Sequence, residues 1–230
     1  MSNDKTIHLG ISFKSLKDVD LHKLVHEAEQ TAISFFHIDF FDGIMVNSYN
    51  LPEKEVLVLR ALTKLTLEAH LMEITPRRME FYRDLGINRV LIHHESYGCK
   101  EKLILEAKKC GMEAGIALKP SSPHDDINII YPDISDLILV MATKSGSRGE
   151  IYDEQSPERV RQIARLYKGP IEVNSGVITY PDKPLQEGST YKLARAGATR
   201  FSLEKGLLDF EVPMAEMVRL NLEAAKAKFE

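Results

Sequence analysis

The chain has only two cysteines among its 230 residues, Cys99 and Cys110, and their separation is not that of a metal site. A chain of this length buries enough apolar surface to hold itself together without a crosslink, so both are expected as free thiols. No apolar run approaches the roughly 20 residues that a membrane-spanning helix requires. The polar start, MSNDKT, lacks the apolar centre of a secretory signal. The expectation is a cytoplasmic protein with no membrane partner. Neither sign of charge dominates, with 30 Lys and Arg against 34 Asp and Glu, a net charge of -4 and a pI near 6.1. The broad basic footprint that nucleic acid or anionic lipid demands is therefore missing. Linkers, low-complexity tracts and charged tails are absent too, and the chain reads as one domain over 1–230 that takes a small-molecule ligand.

What is present is a rhythm. Hydrophobic residues make up 43% of the chain and charged residues 28%, ordinary values for an enzyme. Short apolar or alternating runs recur at intervals of roughly 25 to 30 residues, each followed by a helical pattern. The expected strands are 7–13, 35–41, 65–72, 89–95, 113–119, 137–143, 170–176 and 199–204. Amphipathic stretches such as DLHKLVHEAEQTAI, PEKEVLVLRALTK, PRRMEFYRDLG, KEKLILEAKKCG and SPERVRQIARLY separate them and are expected to be outer helices. Gly86, Gly111, Gly169 and Gly197 precede strands, as helix-to-strand turns prefer. Eight such units in this length predict a (β/α)8 TIM barrel, ahead of a doubly wound sheet.

In such a barrel the chemistry sits where the C-terminal ends of the strands meet the following loops. Those ends carry Ser12, His37 and Asp39, His70 and Met72, His93 to Glu95, Lys119, Met141 to Gly149, Glu172 to Gly176, and Glu204 to Gly206. The stretch FFHIDFFDG (35–43) is the most informative. Alternation along a strand puts His37 and Asp39 on one face, and the adjacent strand delivers His70 to the same mouth. Two imidazoles and a carboxylate suit a divalent cation: zinc, iron, manganese or cobalt. Glu68 and Glu172 share faces with site residues one layer deeper. Of His93 and His94, one is expected inward and one outward, neither as a ligand.

Several segments resemble one family in order along the chain. HIDFFDG is similar to the HxDxMDG signature of the ribulose-phosphate 3-epimerase family, and AHLM (69–72) to its HLM strand. LIHHES (91–96), AGIALKPSSP (114–123), MATKSGSRGE (141–150), IEVNSG (171–176) and RAGATRF (195–201) resemble further segments of it. The resemblance implies the ribulose-phosphate-binding type of TIM barrel and a metal-dependent isomerase of carbohydrate metabolism. Such an enzyme inverts a ketose-phosphate centre through an enediolate, as in pentose phosphate interconversion. It also implies a homo-oligomer and a sugar-phosphate substrate.

Carried over, His37, Asp39, His70 and Asn174 match the metal ligands, and Asp39 and Asn174 the two acid/base positions. Ser12, Met72, Met141, Gly146, Arg148, Gly149, Ser175, Gly176 and Lys205 match the substrate-binding surface. Several positions depart from the pattern, Arg148 among them, where the family's loop has glycine. Asn174 stands where the family has its second aspartate, and an amide has no proton to exchange near neutral pH. Ser175 replaces the first glycine of a pair, and Glu204-Lys205 replaces a Gly-Ser step in the anion pocket, with Lys144, Arg148 and Lys205 as candidate cationic substitutes. Glu150, Asp182 and Glu204 are looser candidates for a replacement acid. The stretch 177–192, with Tyr180, Asp182 and Lys183, is longer than the family's usual loop and is expected to form a lid or specificity element. These departures leave open a lyase or one-base isomerase in the same barrel, or a non-catalytic sugar-phosphate binder.

Overall fold

The computed structural model describes residues 6–13, 19–122, 131–143, 152–204 and 212–227. Its strands are β1 (His8–Phe13), β2 (Ile33–Asp42), β3 (Tyr49–Asn50), β4 (Thr66–Met72), β5 (Arg89–His93), β6 (Glu113–Leu118), β7 (Ile138–Met141), β8 (Ile171–Asn174) and β9 (Arg200–Glu204). β1 pairs with both β2 and β9, and every neighbouring pair except β2 with β3 is parallel. Eight strands therefore close into a TIM barrel, while the two-residue β3 adds antiparallel to the end of β2. All eight expected strands are found, with ends that differ by at most two residues.

The helices are α1 (Leu21–Glu29), α2 (Glu53–Leu62), α3 (Met79–Asp84), α4 (Lys100–Lys109), α5 (Ser156–Leu166), α6 (Ser189–Ala196) and α7 (Met214–Lys226). α1 shows why they form. The carboxylate of Asp20 accepts from Lys23 N–H at 3.0 Å and caps the first turn. Leu21, Leu24, Val25 and Ala28 then lie buried at helical spacing against the barrel. Pro157 stands in the first turn of α5, where its missing N–H costs nothing. Gly86 and Gly111 end their helices at φ of 81° and 80°, a region that side chains with a Cβ avoid. Gly169 is different, because its φ is not positive and the Tyr167 ring occupies the space a Cβ would need. α6 begins within the stretch read as a long loop, after a 3-10 turn at Leu185–Glu187.

The main apolar core lies between sheet and helices, with Leu9, Ile11, Phe36, Ile38, Val90, Ile116 and Val173 among the fully buried side chains that face outward from the strands. The opposite, inward faces are unusually polar: His37, Glu68, His70, His93, Glu172, Asn174 and Ser202 are all buried. Alternation along each strand sorts the two sets. The registers bring His37 level with Glu68 and Asp39 level with His70 across β2 and β4, and Asn174 level with Met141 and Ser202 on its two sides.

Gly115 on β6 has no room for a side chain, since a Cβ would sit 2.5 Å from the carbonyl oxygen of Leu137. Gly115→Ala is expected to lower stability by about 1–3 kcal/mol through overpacking against backbone; the shift in urea midpoint measures it.

Candidate functional site

The site is assembled at the C-terminal mouth of β2 and β4. Asp39 Oδ1 lies 3.1 Å from His70 Nδ1 and 3.4 Å from His37 Nε2. One ligand atom from each of the three residues falls within 4.8 Å of the other two. All three side chains are buried. The outer nitrogen of each imidazole is tied down. His37 Nδ1 is 2.6 Å from Glu68 Oε1, and Glu68 also accepts from Arg89 Nη1 at 2.9 Å. His70 Nε2 is 2.8 Å from His93 Nε2, with the two rings stacked at 4.9 Å. His93 Nδ1 reaches Glu95 Oε2 at 2.8 Å, and Ser122 donates to the other oxygen of Glu95.

These outer bonds decide what the inner nitrogens offer. With Nδ1–H given to Glu68, His37 turns the lone pair of Nε2 towards Asp39. With Nε2–H given to His93, which in turn gives Nδ1–H to Glu95, His70 turns the lone pair of Nδ1 the same way. A pair of fixed imidazole lone pairs beside an ionised carboxylate is the donor set that a divalent transition metal takes, with outer partners holding the ligand tautomers. The three residues therefore fit such a cation.

Asn174 stands at the same ring but faces it nitrogen first. Its Oδ1 accepts from the backbone N–H of Ser175 at 2.8 Å, and its Nδ2 lies 2.9 Å from His37 Nε2. Because a backbone N–H can only donate, the amide oxygen must point to Ser175. An oxygen ligand from Asn174 would require a half-turn of the amide and the loss of that bond. Ser175 itself adopts φ of 71°, a conformation that costs a residue with a side chain roughly 1–2 kcal/mol.

Electrostatics follow from burial working against close partners. Burial favours the neutral acid of Asp39, but the His37 and His70 rings packed beside it overrule burial and hold the carboxyl at about 2. Glu68 is likewise held at about 2, against burial, by His37 and Arg89. Glu172 goes the other way, raised by burial and by the nearby Glu68 charge. Burial lowers His70 to about 4 and lowers His93 as well. His37 is raised well above 6.5 despite its burial, by Asp39, Glu172 and Glu68. When that ring charges, its Nε2–H and the Asn174 Nδ2–H2 face one another as two donors. The neutral tautomer avoids the conflict by accepting from Asn174.

Among the other expected site residues, Met72 and Met141 pack with Phe41 into one small apolar cluster at the mouth. Ser12 and Ser175 are buried, and Gly176 lines a cavity of about 410 Å3 that also touches Tyr152, Tyr180, Ser189 and Glu204. Gly146, Arg148, Gly149 and Lys205, with Lys144 and Glu150, lie outside the described residues. The stretch 177–192 is pinned near its end by Ser189, whose hydroxyl donates to Gly176 O at 2.6 Å and accepts from Ile178 N–H at 2.8 Å. His93 is the inward histidine and His94 the half-buried one. The tie between His93, Glu95 and His70 was not expected, although His93-His94-Glu95 repeats the one-residue spacing of His37-Ile38-Asp39.

The model of the ribulose-phosphate 3-epimerase family matches residues 8–203, which is most of the chain. The chain belongs to the ribulose-phosphate 3-epimerase family. A ribulose-phosphate 3-epimerase from Synechocystis sp. is 26% identical over 195 residues, covering 80% of this chain and 81% of that protein. One from Mycobacterium tuberculosis is 25% identical over 218 residues, covering 93% and 92%. The chloroplastic ribulose-5-phosphate-3-epimerase of Arabidopsis thaliana is 27% identical over 195 residues, covering 81% and 66%. Among solved structures, a mutant tryptophan synthase alpha-subunit from Pyrococcus furiosus superposes with a TM-score of 0.63 at 12% identity, covering 96% of this chain and 98% of that one. That likeness concerns the barrel alone.

The shifts carry a sign for the cation-free protein. His70 and His93 refuse protons that the unfolded chain accepts as the pH falls below 6.5, the ordinary histidine value, so stability drops from there to about pH 4. Asp39 and Glu68 extend the loss through the acid range as the pH falls towards about 2. The contribution of His37 is full below 6.5 and is lost only as the pH rises through its raised value. Urea midpoints of chelator-treated protein are expected to fall between pH 6.5 and 4, and His70→Asn to flatten that slope by an amount on the order of 3 kcal/mol.

Proposed function

We propose that the protein is an isomerase acting beside the carbonyl of a ketose, a sugar phosphate or a close relative, through an enediolate. The reading places a divalent cation (zinc, iron, manganese or cobalt) on His37, Asp39 and His70, and makes Asp39 the proton-moving group. The observation that carries it is the meeting of two imidazole nitrogens on Asp39 Oδ1, each ring steered by a buried partner. The names of the relatives, all ribulose-phosphate 3-epimerases, support the reaction class.

In this reading a bound cation would polarise the adjacent carbonyl and hydroxyl oxygens, so that the carbon-bound proton becomes acidic. The protein's own groups do the rest. Asp39 remains ionised at neutral pH and accepts the proton from carbon, then returns it. Glu68 and His93 keep the two rings from rotating away. Met72, Met141 and Phe41 form an apolar wall that excludes water from the reacting centre. Ser12, buried beside β2, is assigned to a substrate hydroxyl, and Ser175 and Gly176 border the far end.

Asn174 favours a second reading on the reaction's stereochemistry. An amide cannot take the second proton, but turned nitrogen first it can donate a hydrogen bond to an oxygen that gains negative charge. This favours one-base chemistry, a keto-enol isomerisation or a cleavage, over inversion by two bases. A binder without turnover is the outcome if no proton is exchanged.

The test incubates cation-loaded protein in D2O with D-ribulose, D-fructose and their phosphates while NMR follows the proton beside the carbonyl. Exchange is expected, mostly without inversion, and Asp39→Asn should slow it at least ~100-fold. Asn174→Asp is expected to make the inverted product appear. Absence of exchange with every ketose would remove the isomerase reading.

A further inference from the structure

In (β/α)8 barrels, anionic ends of substrates are commonly held by backbone N–H groups in the loops after the seventh and eighth strands. Here those strands are β8 and β9, and among the described residues one such N–H group already faces a carboxylate of the chain itself. The N–H of Gly176, two residues beyond the end of β8, points to Glu204 Oε1 at 3.4 Å. Glu204 is the last residue of β9 and lies level with Ser12 on β1. Alternation fixes its direction: Phe201 and Leu203 enter the outer apolar core, while Ser202 reaches Glu172 inside the barrel. Glu204 therefore shares the inward face with Ser202 and projects into the mouth.

The cavity beside it, about 410 Å3, is large enough for several carbons and hydroxyls of a sugar. Its described lining carries three carboxylates, Glu154, Glu187 and Glu204, against one ammonium, Lys192. Tyr152 and Tyr180 add phenol groups, and the Tyr152 hydroxyl is buried with no hydrogen-bond partner. A phosphate dianion entering here would meet a carboxylate on the very N–H group it needs. Sugar hydroxyls instead give donors to the carboxylates and take one from the phenol.

We propose that Glu204 is a specificity-determining residue: its carboxylate faces the Gly176 N–H, so that the site takes the uncharged, hydroxyl-bearing end of a ketose and rejects the corresponding phosphate ester. This deepens the isomerase reading and rests on it for where the reacting end of the sugar lies.

Equilibrium binding separates the two, because it does not require turnover. Calorimetry with cation-loaded protein compares D-ribulose with D-ribulose 5-phosphate, in wild type and in Glu204→Gln, which keeps the shape and removes the charge. The free ketose is expected to bind the wild type at least ~10-fold more tightly than the ester, and Glu204→Gln to shift that ratio towards the ester by at least ~10-fold. Three results would overturn the proposal: tighter binding of the ester by the wild type, a ratio unchanged in Glu204→Gln, or no binding of either ligand. Loss of proton exchange with this binding pattern intact would count against the isomerase reading and leave the role of Glu204 standing.

Discussion

Everything at the mouth of the barrel depends on the bond between His37 Nδ1 and Glu68 Oε1, 2.6 Å long and wholly buried. A carboxylate with no exposed surface is tolerable only when its charge is matched, and Glu68 is matched twice, by the His37 ring and by the Arg89 guanidinium. Arg89 in turn lies between Glu68 and Glu113. The partners come from β2, β4 and β5, so the network forms only when those strands are in register, with His37 opposite Glu68 and Glu68 opposite Arg89. A slip of one residue would turn these groups outward into the apolar layer under the helices. The same bond sets the ring so that Nε2 faces Asp39, and in this way one interaction links closure of the barrel to the chemistry at its end.

Two of the departures from the family pattern fall on neighbouring strands and, in the proposed reading, would act on different ends of a substrate. At the reacting end, Asn174 replaces an exchangeable proton with an amide whose orientation is dictated by the N–H of Ser175. At the far end, Glu204 places a negative charge against Gly176. Both changes keep the backbone of the barrel, since β8 and β9 remain paired from Glu172 and Arg200 onward. In the proposed reading, a scaffold that keeps His37, Asp39 and His70 on β2 and β4 while altering β8 and β9 would retain activation of a carbonyl and change what is activated and where its proton returns.

The barrel was legible because its strands are apolar on the face that meets the helices and are punctuated by glycines such as Gly86 and Gly111 that require left-handed turns. His37, Asp39 and His70 were legible as a set because a spacing of two on one strand and a neighbour on the next has a single geometric outcome. The place of Glu68 was also readable, as a carboxylate one layer below His70 on the same strand. The tie of His93 to His70 was not, because strand stagger, which no local pattern encodes, decides which histidine faces which. The orientation of Asn174 depends on a backbone N–H that approaches only because Ser175 adopts a positive φ, a conformation that serine does not advertise. α6 was read as loop up to residue 192 because Tyr180, Pro181, Asp182 and Pro184 dominate the composition there, while the helix starts afterwards at Ser189.

The central claim is that His37, Asp39 and His70 hold one divalent cation, with Glu68 and His93 steering the rings. Elemental analysis and equilibrium dialysis of protein stripped with chelator and reloaded with zinc, manganese, iron or cobalt test it most directly. One equivalent per chain is predicted for the wild type, abolished in His70→Ala and weakened about 10- to 100-fold in Glu68→Gln. Absence of stoichiometric metal in the wild type, or retention of full occupancy in His70→Ala, would contradict it.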